Sequence, residues 1–108
     1  MRLNLIPLCF GAAFPAAADP AFAPRPITPH IYSGGWEFFV GGGLASFDCN
    51  ADGLPELFAA GGENPAQLFL NTSEGAVAFD PVASPMGVTM VTGAYPIDID
   101  SDGQQDLV

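Results

Sequence analysis

The chain has 108 residues, with 12 acidic residues, two basic residues and a formal net charge of −10. An acidic chain without lysine is a poor match for nucleic acid, because that partner requires basic side chains that contact phosphates. Cys49 is the only cysteine after residue 9, which excludes a disulfide-rich scaffold.

The N-terminus has the pattern of a secretory signal peptide. Arg2 precedes an apolar stretch, and the small residues Ala16 to Ala18 form an A-x-A site before Asp19. The stretch is interrupted by prolines and is shorter than the roughly 20 apolar residues that a membrane span requires. We therefore expect cleavage of residues 1–18, a secreted or periplasmic location, and no membrane span in the mature chain.

The rest of the chain divides into two parts. Residues 19–33 contain four prolines and predict an extended N-terminal segment. Residues 34–108 consist of short apolar runs separated by Gly, Pro and Asn, which predicts an all-β repeat architecture with little or no helix. The predicted strands are Trp36–Val40, Leu44–Phe47, Glu56–Ala60, Gln67–Leu70, Ala76–Phe79, Val88–Thr92 and Tyr95–Ile99.

Residues 48–56 and 98–106 both follow the pattern D-x-[DN]-x-D-G-x-x-[DE], 50 residues apart. Positions 1, 3, 5 and 9 offer oxygen side chains, position 7 offers a carbonyl, and glycine at position 6 permits a turn with positive φ. An all-oxygen ligand set of this kind suits Ca²⁺. The predicted ligands are Asp48, Asn50, Asp52, the Leu54 carbonyl and Glu56 in the first loop, and Asp98, Asp100, Asp102, the Gln104 carbonyl and Asp106 in the second.

Two other structures contain motifs of this kind, the EF-hand and the metal-free turn. An EF-hand requires Glu at position 12 between two helices, but position 12 of the first loop is Ala59 and its flanks are β-rich. Turns containing Asp-Gly also occur without metal. Two motifs in register, which together hold seven of the 12 acidic residues, favour the metal site.

The unit between the motifs resembles one blade of a β-propeller, with four short strands in about 40 to 50 residues. On this interpretation residues 34–108 hold about one and a half blades, and the second repeat is truncated. Since a propeller needs roughly 4 to 8 blades, we expect an N-terminal fragment of a longer protein.

The two loops with their flanks, residues 47–58 and 97–108, resemble FG-GAP/VCBS repeats, the calcium-binding blades of integrin α-subunits and of many bacterial exported proteins. Residues 61–71 are similar to a segment of the cartilage-acidic-protein-like ASPIC/UnbV subgroup. The resemblance implies a seven-bladed propeller in the whole protein, calcium in the blade loops, and adhesion or partner binding. Glu56 departs from the Asp that is usual at its position.

The sequence contains no recognisable catalytic or cofactor-binding constellation. The only histidine, His30, lies in the Pro-rich segment without partners for catalysis or zinc. The aromatic cluster Trp36, Phe38 and Phe39 is expected to pack between blades. The sequence therefore favours an exported calcium-binding module that recognises protein or glycan. The alternative is a propeller that supports an exported hydrolase or polysaccharide lyase whose catalytic part lies elsewhere.

The ligand sets predict different affinities for the two loops. The second loop offers four anionic side chains and the first offers three with one amide, so we expect the second loop to bind calcium more tightly. Calcium titrations of variants that retain a single intact loop measure this difference, and a tighter first loop would contradict it.

Overall fold

The computed structural model describes residues 20–108, so the predicted signal peptide at residues 1–18 lies outside the described residues. Within residues 20–108, no helix has the length and apolar character needed to cross a membrane.

The main element is a four-stranded antiparallel sheet in which each strand pairs with the next in the chain. This arrangement confirms the predicted all-β blade. Short turns suffice to connect neighbouring antiparallel strands, which is why each strand pairs with its successor in the sequence. The strands are β1 (Leu44–Phe47), β2 (Glu56–Ala59), β3 (Gln67–Asn71) and β4 (Phe79–Val82).

One face of this sheet carries the apolar core. Ala45 pairs with Phe58, Phe58 with Leu68, and Leu68 with Val82, so a single row of apolar side chains crosses all four strands. Burial alternates along β1, where Ala45 and Phe47 are buried and their neighbours are exposed, so Ala45 and Phe47 lie on this face. Residues of the second repeat, among them Ala94 and Leu107, complete the cluster.

A second, two-stranded sheet repeats the beginning of the first. It consists of β5 (Pro96–Ile97) and β6 (Asp106–Leu107), which are antiparallel. Ile97 pairs with Asp106 just as Phe47 pairs with Glu56. In both repeats the residue before position 1 of the acidic motif is therefore paired with position 9, so the two loops leave their sheets in the same register.

Two of the predicted strands are wrong. Trp36–Val40 forms a 3-10 helix at Trp36–Phe38, because the flanking glycines permit a turn whose N–H groups bond back to Gly35 and Trp36. Val88–Thr92 is not a strand. It contains one isolated β-bridge, in which the backbone of Val91 pairs with that of Gly62.

Two further strands differ from the predicted bounds. The fourth strand was placed at Ala76–Phe79 but lies at Phe79–Val82, because pairing with β3 sets its register and continues through Pro81. Proline is tolerated there because, in the part of the chain that the structure describes, β4 pairs with β3 alone. In place of Tyr95–Ile99, the strand covers only Pro96–Ile97, because the second loop begins at Asp98.

The aromatic cluster is divided. Phe38 is buried, as expected, whereas Trp36 and Phe39 are 84% and 75% exposed and stack on each other with ring centroids 5.3 Å apart. Packing of Trp36 and Phe39 between blades stays a prediction, since both are exposed within the described residues.

The end of the Pro-rich segment docks on the first sheet. His30 Nε2 donates a hydrogen bond of 2.9 Å to the Ala60 carbonyl, and its ring lies edge-on to the buried Phe69. Ser33 donates its N–H to Gly61 and accepts from the N–H of Glu63. His30 therefore helps to bind the Pro-rich segment to the first sheet. The contacts lie just after the end of β2.

Candidate metal centre

The two acidic loops occupy equivalent places, one between β1 and β2 and the other between β5 and β6. In each, an antiparallel pair holds position 1 at the end of one strand and position 9 at the start of the next. The strands therefore fix the distance between the first and last predicted ligands.

The first loop is folded around its own carboxylates. Asp48 accepts the N–H groups of Asp52 and Gly53, at 3.2 and 2.8 Å. The N–H of Asp52 also bonds to Asn50 Oδ1, at 3.0 Å. Asp52 Oδ1 in turn accepts the N–H of Leu54, at 2.7 Å. These bonds bring the side chains of positions 1, 3 and 5 to the inside of the turn.

The second loop repeats these bonds at the same positions. Asp98 accepts the N–H groups of Asp102 and Gly103, at 3.1 and 3.0 Å. Asp100 also accepts from the N–H of Asp102, and Asp102 accepts from that of Gln104. The spacing of oxygen side chains in the motif thus produces one loop conformation twice.

The backbone angles agree with this equivalence. Glycine at position 6 has φ of 85° in the first loop and 89° in the second, as the motif predicts. Position 4 is also left-handed, with φ of 60° at Ala51 and 62° at Ser101. Sequence reasoning missed this second left-handed residue, because neither Ala nor Ser signals it.

In the second loop three predicted ligands converge. Carboxylate oxygens of Asp98, Asp100 and Asp106 lie within 4.8 Å of one another. Asp102 is outside this group, and one of its oxygens accepts the N–H of Gln104. Ligation by the Leu54 and Gln104 carbonyls stays a prediction, because the hydrogen bonds of these two residues in the loops involve their N–H groups.

The first loop does not gather its three carboxylates in this way within residues 20–108. Position 3 is an amide, and Asn50 Nδ2 donates to Asp52 Oδ2 at 2.9 Å. Glu56 is turned inward and is 0% exposed, with Oε2 accepting the N–H of Cys49 at 2.8 Å. The corresponding Asp106 makes the same bond, to the N–H of Ile99, but remains exposed.

Glu56 carries an unsatisfied atom. Its Oε1 is buried and has no hydrogen-bond partner. A buried carboxylate oxygen without a partner is costly, so such an atom in a native fold requires an explanation. A cation bound by this carboxylate would supply the missing partner.

The donor set fits a hard divalent cation. Every predicted side-chain ligand is an oxygen, and seven of the eight are carboxylates. After Arg25 the sequence contains no lysine or arginine that could pair with them. Calcium accepts such mixed carboxylate, amide and carbonyl shells.

Cys49 is exposed, and its thiol is free. Desolvation, followed by the neighbouring Glu56 carboxylate, raises the pKa of the Cys49 thiol above its ordinary value. A thiol that stays protonated at neutral pH is a poor nucleophile, so the structure gives Cys49 no catalytic character.

Asn71, which the sequence analysis did not select, supports the first loop from the side. Located at the end of β3, it donates Nδ2–H to the Pro55 carbonyl at 2.9 Å and accepts the N–H of Ser73. Pro55 stands directly before Glu56, so this bond holds the chain between positions 7 and 9. An asparagine where a strand meets a turn was the available signal.

We expect Asn71→Ala to weaken calcium binding in the first loop. The lost hydrogen bond is worth about 1 kcal/mol, which corresponds to roughly a fivefold loss of affinity. Calorimetry of a chain whose second loop carries Asp98→Asn measures it. Thr72→Ala is the control, because Thr72 bonds to Asp80 instead of the loop. Equal affinities of the two variants would contradict the role of Asn71.

Comparison with known proteins identifies the repeat. A family model described as an FG-GAP-like repeat matches residues 48–108, more than half of the chain, and includes both acidic loops. No curated protein and no solved structure matches the chain. The similarity of residues 61–71 to the ASPIC/UnbV subgroup stays a prediction. With a matching family model, a four-stranded antiparallel sheet and a repeated strand–loop–strand unit, the chain belongs to the FG-GAP repeat family.

Proposed function

We propose that the chain is a calcium-binding module of an exported β-propeller and that its ions have a structural role. The observation that carries this proposal is the buried, unpartnered Oε1 of Glu56 at position 9 of an acidic loop. The matching hydrogen bonds of the second loop support it, because a conformation built twice at the same spacing indicates a common purpose.

Calcium in these loops would neutralise carboxylates that otherwise repel one another. In the first loop it would be held by Asp48, Asn50, Asp52, the Leu54 carbonyl and Glu56, and in the second by Asp98, Asp100, Asp102, the Gln104 carbonyl and Asp106. Because an unfolded chain cannot present either set together, the free energy of ion binding contributes to folding.

Export is the second part of the proposal. The apolar stretch and the A-x-A site within residues 1–18 support cleavage of a signal peptide and a secreted or periplasmic location. Calcium is available at high concentration outside many cells, where extracellular modules bind it with dissociation constants of about 10⁻⁴ to 10⁻³ M.

Recognition of protein or glycan partners is the third part. The 3-10 turn presents Trp36, Phe39 and Val40 to solvent, with exposures of 75% or more. Tyr32 stabilises the turn by donating its hydroxyl hydrogen to the Phe38 carbonyl at 3.0 Å. An exposed aromatic pair on a fixed turn supports a binding role, since rings can stack on a partner without ordering a flexible segment.

We expect calcium to raise the melting temperature of the chain. At 100 times its dissociation constant, one ion adds about 2.7 kcal/mol to the free energy of unfolding. Thermal melts with calcium and with a chelator measure the shift, and calorimetry counts the ions. A variant with Asp48→Asn and Asp98→Asn is expected to lose the shift, whereas Asp80→Asn, outside both loops, retains it. Identical melts with calcium and chelator would contradict the proposal.

The recognition role predicts partner binding that depends on Trp36. Arrays of glycans and of purified extracellular proteins, probed with the chain in calcium, are expected to show signals that Trp36→Ala removes. Phe22→Ala is the control, because Phe22 is similarly exposed but lies in the Pro-rich segment. Signals that do not change with Trp36→Ala, or arrays without any signal, would contradict this role.

A further inference from the structure

The two acidic loops face each other across one cavity. Asp48, Cys49 and Ala51 of the first loop and Gly103, Gln104 and Gln105 of the second line a space of about 250 Å³, which we call the inter-loop cleft. Asp48 and Gln104 are predicted ligands of two different ions, so groups from the two metal sites share this cleft.

At their other end the repeats are joined by backbone hydrogen bonds. Gly43 donates its N–H to Thr92, and Gly62 both donates to Val91 and accepts from Met90. Contact there is close, since a Cβ on Gly43 would lie 2.7 Å from the Cα of Gly93. The second repeat is thus attached firmly at the end that is distant from the loops along β1 and β5.

At the cleft such attachments are missing. Within residues 20–108, no hydrogen bond joins the first loop to the second. The loops together carry seven carboxylates, and no lysine or arginine follows Arg25. Like charges at this spacing repel unless a counter-charge intervenes. Asp48 is the charged residue among those that line the cleft, and cations bound in the loops would lower the repulsion between them.

We propose that cations in both loops together hold the inter-loop cleft closed, so that ion binding in one loop strengthens ion binding in the other. The proposal rests on the calcium sites of the proposed function, for which the buried Oε1 of Glu56 is the independent sign of a missing cation. If the docked arrangement of the repeats binds both ions best, linkage requires that each ion raise the affinity for the other by the same factor.

Cys49 allows the cleft to be observed directly. It lines the cleft and is exposed, and in a Cys9→Ser background it is the only thiol of the chain. The rate at which a bulky maleimide labels Cys49 measures access to the cleft. Calorimetry on the same samples counts the calcium ions and gives their affinities.

The decisive variant disables the second loop alone, through Asp98→Asn with Asp106→Asn. At calcium concentrations that saturate the first loop, we expect this variant to label at least about fivefold faster than the parent. Its first loop is expected to bind calcium about fivefold or more weakly, within the usual range of coupling between sites. Glu63→Gln with Glu74→Gln, a matched loss of two exposed carboxylates outside both loops, is expected to behave as the parent.

The outcomes separate this proposal from the one on which it rests. The coupling would be supported if the parent binds two ions and if the second-loop variant labels faster and binds calcium more weakly in its first loop. Two ions bound, with first-loop affinity and labelling unchanged by the second-loop variant, would overturn the coupling and leave the calcium sites in place. Absence of calcium binding in the parent would overturn both.

Discussion

The structure depends on one constraint, the concentration of negative charge in the two acidic loops. Seven carboxylates stand within two nine-residue segments, and the basic side chains that could balance them are absent from the sequence after Arg25. Backbone N–H groups stabilise part of this charge, because each loop donates them to the side-chain oxygens at positions 1, 3, 5 and 9. Amides orient carboxylates but do not cancel their charge. A divalent cation does both.

The two loops share a backbone but differ at position 9. Glu56 begins an inner strand of the four-stranded sheet and is buried, whereas Asp106 begins a strand of the two-stranded sheet and stays at the surface. The first loop is consequently linked to the core of its sheet, and Asn71 of β3 adds a second support. The second loop carries four carboxylates where the first carries three.

Much of the fold was accessible from the sequence because it depends on local rules. The spacing of glycine and acidic residues predicted the loops, and the short apolar run Leu44–Phe47 predicted β1 to the residue. The failures occurred where pairing decided the structure. The fourth strand was predicted at Ala76–Phe79, yet it lies at Phe79–Val82, and within residues 20–108 it pairs with β3 alone, which allows Pro81 there. Trp36–Val40 has the composition of a strand, but the glycines around it favour a turn. The burial of Glu56 and the hydrogen bond from Asn71 to Pro55 depend on contacts between distant segments. The spacing of residues within the motif does not predict such contacts.

The position of Pro81 has a consequence beyond its register. β4 is the outer strand of its sheet, and an outer strand presents unpaired backbone groups on which another chain can build. Proline removes one donor from that rim, and the adjacent Asp80 places a charge there. Both features discourage edge-to-edge growth into fibrils, so a protein assembled from such sheets can remain dispersed at high concentration.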